Sequence, residues 1–249
     1  MLKPSPSRLL RTVPVAFLLL ALSLACAGPE TVVIATTADY HPFNFTTDDG
    51  GIDGLEREMG DELCRRAGLE CEWVVNEWET LIPHIRAEDF DAILAGMSIT
   101  EERDERIDFT QPYYPPTPSV YLARAGSGDE AVEGLLGAQA STIHSDYFLD
   151  TGKFFKTFRG SQDSVQALLD GEVDAILVDH AYAVEKLAEL EGRLAVVGPR
   201  VELDMGIGMG IRDGSELKAK FDEAITSMKD DGSLNDLLLK WFGEDVSLF

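Results

Sequence analysis

The spacing of apolar residues alternates along the chain between the period of a strand and that of a helix. Residues 31–36 (TVVIAT) form a β-branched run that predicts a strand, and another strand is expected at about 71–75. Between them, a helix over about 53–67 is predicted by apolar residues that recur every four positions, namely Leu55, Met59, Leu63 and Ala67. Such alternation is typical of α/β folds, in which helices flank a sheet of parallel strands.

One part of this pattern occurs twice. Residues 90–94 (FDAIL) are echoed at 173–177 (VDAIL), and a short amphipathic helix is predicted before each copy. The echo favours two similar α/β lobes, although two unrelated buried strands also account for such a string. Ligands of open α/β sheets bind beyond the carboxyl ends of the strands. The residues after the copies, 96–98 (GMS) and 178–180 (VDH), are therefore the first candidates for a binding site.

Two segments are predicted to connect the lobes. Residues 113–118 (YYPPTP) predict an extended connector, because proline fixes its own φ and disfavours helix in the residue before it. Residues 205–211 (MGIGMGI) predict the returning strand, and their glycines indicate a close approach of two backbones. The remaining chain, 217–249, predicts helical structure.

The start of the chain predicts export. Three basic residues, Lys3, Arg8 and Arg11, precede an apolar run over 13–25. This run is shorter than the about 20 residues that a membrane-spanning helix needs. A basic start followed by a short apolar stretch and small residues is typical of a signal peptide, here over 1–25.

Charge excludes two classes of partner. The chain has 249 residues, with 45 Asp and Glu against 21 Lys and Arg, and a net charge of -24. Because such a surface repels phosphate backbones and anionic lipid headgroups, neither nucleic acid nor a bare membrane surface is expected as a partner. The length suits one large domain or two small ones.

Two cysteines predict a disulfide. Cys64 lies near the end of the predicted helix, Gly68 is a plausible stop, and Cys71 opens the following strand. An exported protein meets an oxidising compartment, where such a pair can bridge. The alternative is two buried free thiols. A metal would need more ligands nearby than the sequence offers, so neither a metal nor a cofactor is expected.

The strand ends offer opposite charges. No HExxH, Walker-type or G-x-S-x-G motif occurs, which disfavours the corresponding enzymes. In residues 96–103 (GMSITEER), a ligand carboxylate can receive a bidentate contact from Arg103 and a hydroxyl from Ser98. The alternative is a surface ion pair of Arg103 with Glu101 or Asp104.

Asp179 follows the second copy and can accept hydrogen bonds from an ammonium group. An arginine on one lobe and an aspartate on the other would together clamp a zwitterion when the lobes close. Tyr40 and Trp78 lie on predicted loops near the strand ends of the first lobe and could stack on a ligand side chain. As isolated aromatic residues they would more often belong to a core.

Several motifs resemble the polar amino-acid-binding proteins of ABC importers. They span 31–249 and are 40–45 (YHPFNF), 90–103 (FDAILAGMSITEER), 107–114 (IDFTQPYY), 173–175 (VDA) and 241–243 (WFG). The resemblance implies the two-lobed periplasmic binding protein fold, each lobe a sheet with flanking helices, joined by two crossover strands. It also implies that an L-amino acid is captured between the lobes and delivered to an importer permease. The cysteine pair resembles the bridge of lysine/arginine/ornithine-binding members.

The resemblance assigns ligand-binding roles to seven residues: Arg103, Ser98, the Gly96 backbone and Thr142 for the α-carboxylate, Asp179 for the α-ammonium, and Tyr40 and Trp78 for the side chain. Thr37, however, occupies a position where members that bind basic or amide side chains often have an acidic residue, and Ile143 one where some have a polar residue. Because Glu77 is a possible substitute for the missing acid, a basic and a neutral ligand both remain open.

Residues 23–26 (SLAC) resemble the lipobox of bacterial lipoproteins, in which the cysteine, here Cys26, is acylated. We therefore expect a monomer in the periplasm or at the cell surface that is held to the membrane only by lipid. The expected organisation is a signal peptide (1–25), a linker (26–30), lobe 1 (31–117 with 213–249), lobe 2 (122–204) and crossovers (118–121 and 205–212). The alternatives are an exported cyclohexadienyl or arogenate dehydratase on the same fold, and a ligand-sensing receptor without transport.

Overall fold

The structure is a computed structural model that describes residues 30–203, 205–244 and 246–249. The predicted signal peptide, Cys26 and the linker up to residue 29 lie outside the described residues. Within these ranges the chain forms α1 (Leu55–Ala67), α2 (Leu81–Arg86), α3 (Glu101–Asp104), α4 (Ile143–Asp150), α5 (Ser161–Asp170), α6 (His180–Glu189), α7 (Leu217–Asp230) and α8 (Ser233–Phe242). Its strands are β1 (Thr31–Thr36), β2 (Asp39–Tyr40), β3 (Asn44–Thr46), β4 (Ile52–Asp53), β5 (Glu70–Val75), β6 (Ala92–Ile93), β7 (Asp108–Phe109), β8 (Ser119–Arg124), β9 (Leu136–Gln139), β10 (Phe155–Phe158), β11 (Ala175–Val178), β12 (Leu194–Val201) and β13 (Gly210–Ile211).

The strands form two five-stranded sheets of matching order. The first sheet runs β5-β1-β6-β13-β7 and the second β10-β9-β11-β8-β12, beside a small sheet β2-β3-β4. The echoed segments supply β6 and β11, and each is the central strand of its sheet. This confirms the predicted α/β fold with two similar lobes. Lobe 1 is built on the first sheet and lobe 2 on the second.

The sheets are mixed rather than all parallel, which corrects one expectation. β1, β5 and β6 are parallel, as are β9, β10 and β11. β13 is antiparallel to β6, and β8 is antiparallel to β11. Both β13 and β8 follow a segment that arrives from the other lobe, so each enters its sheet in the opposite direction.

The two connecting segments touch each other. Ile207 forms β-bridges with Ser98 and Tyr114. Gly206 has φ 99°, and a Cβ there would lie 2.7 Å from the carbonyl oxygen of Tyr114. The glycines of this segment thus permit the close approach that the sequence predicted. β8 begins at Ser119, so most of the stretch expected as the first crossover (118–121) is paired within the second sheet.

Helices cover both faces of each sheet. In β1, Val32 and Ile34 pack with α1, α7 and α8, whereas Ala35 packs with α2. In β8, Leu122 packs with α5 and α6, and Tyr121 packs with Phe148 of α4. Because neighbouring residues of a strand point to opposite faces, each lobe has two apolar layers around its sheet. These layers fix the strand ends from which the site is built.

A disulfide joins Cys64 to Cys71, with the Cα atoms 6.2 Å apart. Helix α1 ends at Ala67, and Gly68 caps it in the left-handed conformation with φ 70°. The predicted bridge and helix stop are therefore both present. Closing a loop of about eight residues stabilises the fold by roughly 2.5 kcal/mol in the chain-entropy account.

The C-terminal part is less helical than the sequence predicted. Helices α7 and α8 are separated by Asp231 and Gly232, and Gly232 adopts φ 81°. α8 ends at Phe242, and the described residues after it form no helix. Asn235 instead holds Phe249, through hydrogen bonds to its N–H and carbonyl oxygen at 3.1 and 3.2 Å.

Candidate functional site

A cavity lies between the lobes. Lobe 1 contributes the loop after β1, the 3₁₀ helix at Trp78–Thr80 and the loop after β6. Lobe 2 contributes the ends of β9 and β11 and the starts of α4 and α5. The cavity brings together all seven residues expected to bind ligand: Tyr40, Trp78, Gly96, Ser98, Arg103, Thr142 and Asp179.

Arg103 extends from lobe 1 to lobe 2. Thr100 caps α3 by accepting a hydrogen bond from the Arg103 N–H at 3.2 Å. The buried guanidinium donates to the carbonyl oxygens of Ser98 at 2.9 Å and Ser141 at 3.4 Å. It also lies 5.3 Å from the ring centroid of Trp78. These contacts place a positive charge in the cavity wall rather than in a surface ion pair with Glu101 or Asp104.

Asp179 lies opposite on lobe 2, between β11 and α6. The hydroxyl of Tyr40 donates to its carboxylate, and Nε2 of His144 lies 3.5 Å from it. Burial and the charge of Asp179 hold the pKa of Tyr40 well above its usual value, so Tyr40 remains a donor. Burial lowers the pKa of His144, which keeps the imidazole neutral near pH 7. Neither of these two neighbours therefore offers the carboxylate a positive charge.

The two aromatic residues have different surroundings. Tyr40 stacks against Phe43 and Tyr182, with centroids 5.5 and 4.9 Å apart. Trp78 lies against the Arg103 guanidinium, and its Nε1–H donates to the carbonyl oxygen of Ser141 at 3.0 Å. Both rings face the cavity, but each already packs against protein groups.

The backbone N–H of Gly96 already has a hydrogen-bond partner within the protein. It donates to the Glu56 carboxylate at 2.6 Å. Gly96 has φ 62°, and a Cβ there would lie 2.9 Å from the Tyr40 ring, so only glycine fits. The bond to Glu56 leaves the carbonyl oxygen of Gly96 for a ligand. A carbonyl oxygen accepts from an ammonium group, which differs from the contact with the α-carboxylate that the resemblance implies.

Glu56 is a buried residue of the site that the sequence did not reveal. Its carboxylate accepts hydrogen bonds from Asn44 Nδ2 at 2.6 Å, from the Gly96 N–H and from the Tyr113 hydroxyl. Burial raises its pKa, while the three donors oppose the shift. Thr37, on the cavity wall, donates to Asn44 Oδ1 at 3.0 Å. Glu56 thus links two residues of the cavity wall: Gly96 directly, and Thr37 through Asn44.

Thr142 caps helix α4. Its hydroxyl donates to Gln139 O at 2.8 Å and accepts from the Ser145 N–H at 3.4 Å. Its own N–H donates to the Ser145 hydroxyl at 3.1 Å. The expected bond from Thr142 to a carboxylate would therefore have to share groups that already have partners.

The roles of Ser141 and His144 in the cavity wall were not predicted from the sequence either. Ser141 has φ 59°, in the left-handed region that residues with a side chain seldom adopt. This conformation accompanies a carbonyl oxygen that accepts from both Trp78 and Arg103 of the other lobe. A serine in a loop gives no local sign of such a role, and His144 is next to Asp179 only because α4 and β11 meet.

Contacts across the cleft hold the lobes together. At the cavity mouth, Arg159 of lobe 2 forms an ion pair with Glu77 of lobe 1 at 2.6 Å. On the side of α6, His41 Nδ1 lies 3.1 Å from Glu185. Together with the Trp78 and Tyr40 bonds, these contacts describe a closed arrangement of the two lobes.

The described part of the chain shows neither a metal site nor a membrane-spanning helix. Among residues 30–203, 205–244 and 246–249, no group of three or more His, Cys, Asp or Glu is placed to hold a metal ion. Nor is any helix within those ranges both long and apolar enough to cross a bilayer.

Known proteins resemble this chain along nearly its whole length. The L-arginine-binding protein of Pseudomonas aeruginosa is 30% identical over 88% of this chain and 91% of its own. A periplasmic His/Glu/Gln/Arg/opine family-binding protein from Silicibacter pomeroyi, solved in complex with lysine, is 48% identical with a TM-score of 0.84 over 88% of this chain and 100% of its own. An ancestral amino acid-binding protein, a precursor of cyclohexadienyl dehydratase, is 26% identical with a TM-score of 0.75 over 85% and 95% of the two chains.

These similarities agree with the fold. Residues 32–244 match the profile of one family across both lobes and both crossovers. The chain therefore belongs to the bacterial extracellular solute-binding proteins, family 3, and functions as an extracytoplasmic solute-binding protein.

Proposed function

We propose that this protein captures an L-amino acid between its lobes and delivers it to an ABC importer. The observation that carries the proposal is the placement of Arg103 and Asp179, which approach one cavity from different lobes. A guanidinium pairs with an α-carboxylate and an aspartate with an α-ammonium. Every amino acid has both groups, so the pair recognises the class rather than one member.

Ligand binding and lobe closure are coupled in this proposal. Each lobe holds one charge of the clamp, so both contacts form only when the lobes approach, through motion about the two segments that connect them. The permease can then distinguish a loaded from an empty receptor by its shape. Because the lobes of one chain complete the cavity, a monomer suffices for binding.

The relatives support an amino-acid ligand. The Pseudomonas aeruginosa relative is named for L-arginine, and the Silicibacter pomeroyi structure contains lysine. For this chain, these names support an amino acid as the class of ligand.

A melting-shift screen of the twenty common amino acids, with ornithine and citrulline, tests the function. We expect one amino acid or a small group to raise the melting temperature in proportion to the logarithm of its concentration, because a ligand of the folded state stabilises by mass action. The matching decarboxylated amines serve as controls and should have no effect. A protein that binds none of these amino acids contradicts the proposal.

The second candidate is a dehydratase on the same fold. It is favoured by the similarity to the precursor of cyclohexadienyl dehydratase. We propose binding without turnover, since the cavity charges suffice for a zwitterion clamp. Incubation of the purified protein with prephenate and arogenate decides between the two: formation of aromatic product would establish the enzyme.

We also propose that Cys26 is acylated and anchors the exported protein. Each buried methylene contributes about 0.8 kcal/mol, and two or more chains make attachment stable. The full-length protein, expressed in a bacterial host, is expected in the membrane fraction, and Cys26→Ser is expected in the soluble exported fraction. Wild-type protein that is fully soluble after export would contradict the anchor.

A further inference from the structure

The charges that line the cavity do not balance for a neutral zwitterion. Among the described residues, the charged lining groups are Asp39, Arg103 and Asp179, while His144 is neutral. In the proposed clamp, Arg103 faces the α-carboxylate and Asp179 the α-ammonium. The charges of Arg103 and Asp179 are balanced by the two charges of the zwitterion. The negative charge of Asp39 then has no balancing charge on a zwitterionic ligand.

The other carboxylates nearby each have a partner. Glu77 pairs with Arg159 at 2.6 Å, and Asp179 accepts from the Tyr40 hydroxyl. Asp163 accepts from the Gly160 N–H at 3.3 Å. Asp39 has the uncharged Thr37 side chain as a hydrogen-bond partner, but none of the ion pairs found within 30–203, 205–244 and 246–249 includes it.

Asp39 lines the cavity at an end where the two lobes meet. A Cβ on Gly160 of lobe 2 would be 3.8 Å from its Oδ2, and Gln162 Nε2 lies 3.5 Å from its carbonyl oxygen. The neighbouring wall is polar but uncharged: Ser161 donates to Gln139 at 2.7 Å, and both residues line the cavity. This end of the cavity therefore presents a carboxylate and neutral hydrogen-bonding groups.

The surroundings of Asp39 favour an incoming cation. Part of its side chain remains open to solvent at the cavity mouth. The packing around the carboxylate nevertheless raises its pKa, and the negative charges of Glu77 and Asp163 add to the shift. A cationic group in the cavity would offset both effects.

We propose that Asp39 binds the cationic end of the ligand side chain, so that the receptor selects amino acids of net positive charge over neutral ones of similar shape. This inference rests on the proposed function and deepens it. The occupied cavity is then electrically balanced, with two negative and one positive protein charges facing two positive and one negative ligand charges. Glu77, the acid that the sequence suggested for this role, is occupied by Arg159.

Calorimetric titration with L-arginine and L-citrulline tests the inference, because citrulline replaces the guanidinium with a neutral group of similar size. Wild-type protein is expected to prefer arginine by about 10-fold or more. Asp39→Asn should weaken arginine binding by about 10 to 100-fold, corresponding to about 1.4 to 2.7 kcal/mol, and change citrulline binding by less than about 3-fold. Asp39→Glu, which keeps the charge, should retain part of the preference for arginine.

Asp49→Asn is the matched control, since it removes the same charge from an exposed turn of lobe 1 and should change neither affinity. An Asp39→Asn protein that keeps the wild-type preference for arginine overturns the inference, as does wild-type protein that binds citrulline as tightly as arginine. Loss of the preference in Glu77→Gln but not in Asp39→Asn overturns it in favour of Glu77. In each of these outcomes amino-acid binding persists, so the proposed function stands; absence of binding to every amino acid refutes both.

Discussion

Replacing Arg103 by alanine is expected to weaken amino-acid binding by more than about 30-fold. Truncating one partner of a buried charge pair costs about 2 to 5 kcal/mol, and 1.4 kcal/mol corresponds to a factor of ten in affinity. The guanidinium also contacts Ser98, Ser141 and Trp78, so its loss removes one of the bonds that close the cleft. Calorimetry with the ligand found by screening measures the change.

Arg106→Ala is the matched control for this prediction. Arg106 lies three residues farther along the chain, is exposed and does not line the cavity. The Arg106→Ala protein should therefore bind ligand with the affinity of the wild type, although it loses the same charge as Arg103→Ala. If Arg103→Ala binds within about 3-fold of Arg106→Ala, the clamp is wrong even if the protein binds amino acids.

The second large effect is expected for Glu56→Gln, which should lower the free energy of unfolding by about 2 to 4 kcal/mol. The carboxylate accepts from three buried donors, and a glutamine amide would turn a donor toward at least one of them. An unsatisfied buried polar group costs about 1 to 3 kcal/mol. Ligand affinity should fall several-fold as well, because Glu56 holds Gly96 against Tyr40. Urea unfolding monitored by circular dichroism measures the stability.

The effect of Glu56 should depend on pH. Its pKa is raised in the folded protein above the value of 4.5 for an ordinary glutamate. A raised pKa means that the folded state binds the proton more tightly than the unfolded chain, so this contribution to stability is complete below about pH 4.5 and is lost as pH rises through the folded pKa. The difference between wild type and Glu56→Gln should therefore narrow as pH rises above about 4.5. A difference that widens as pH rises contradicts the sign of the shift.

Glu58→Gln provides the comparison for both measurements. It lies on the same helix, is partly exposed and contacts Lys240. Surface substitutions of this kind usually change stability by less than about 0.5 kcal/mol. A loss in Glu58→Gln as large as in Glu56→Gln would show that the buried network is not the cause.

The two-lobed fold was predictable because its signals are local. The β-branched run 31–36, the four-residue spacing from Leu55 to Ala67 and the repeated DAIL string each depend on neighbours in sequence, and each corresponds to an observed strand or helix. The strand directions were not predictable in the same way. They depend on where β8 and β13 enter a sheet from the other lobe, which no short segment specifies.

The same distinction between local signals and long-range contacts applies to the residues of the site. Residues that follow a predicted strand, such as Ser98 and Asp179, were placed by the rule that ligands collect at strand ends, and the structure puts them in one cavity. Glu56 and His144 were missed, because their roles depend on contacts between elements distant in sequence. Because Thr37 occupies the position where basic-ligand members often have an acid, the sequence alone does not decide between a basic and a neutral ligand. The nearby Asp39, whose partners can be assessed only in three dimensions, provides the missing acid in our proposal.

The entry and exit of the crossovers meet within lobe 1. Thr110 donates its N–H to the carbonyl oxygen of Met209 at 3.0 Å, and its hydroxyl accepts from the Met209 N–H at 3.1 Å. All five strands of the first sheet lie outside the segment between these two residues. Topologically, lobe 2 is thus a domain inserted into a loop of lobe 1. Its length and sequence can change without altering the order in which the strands of lobe 1 are connected.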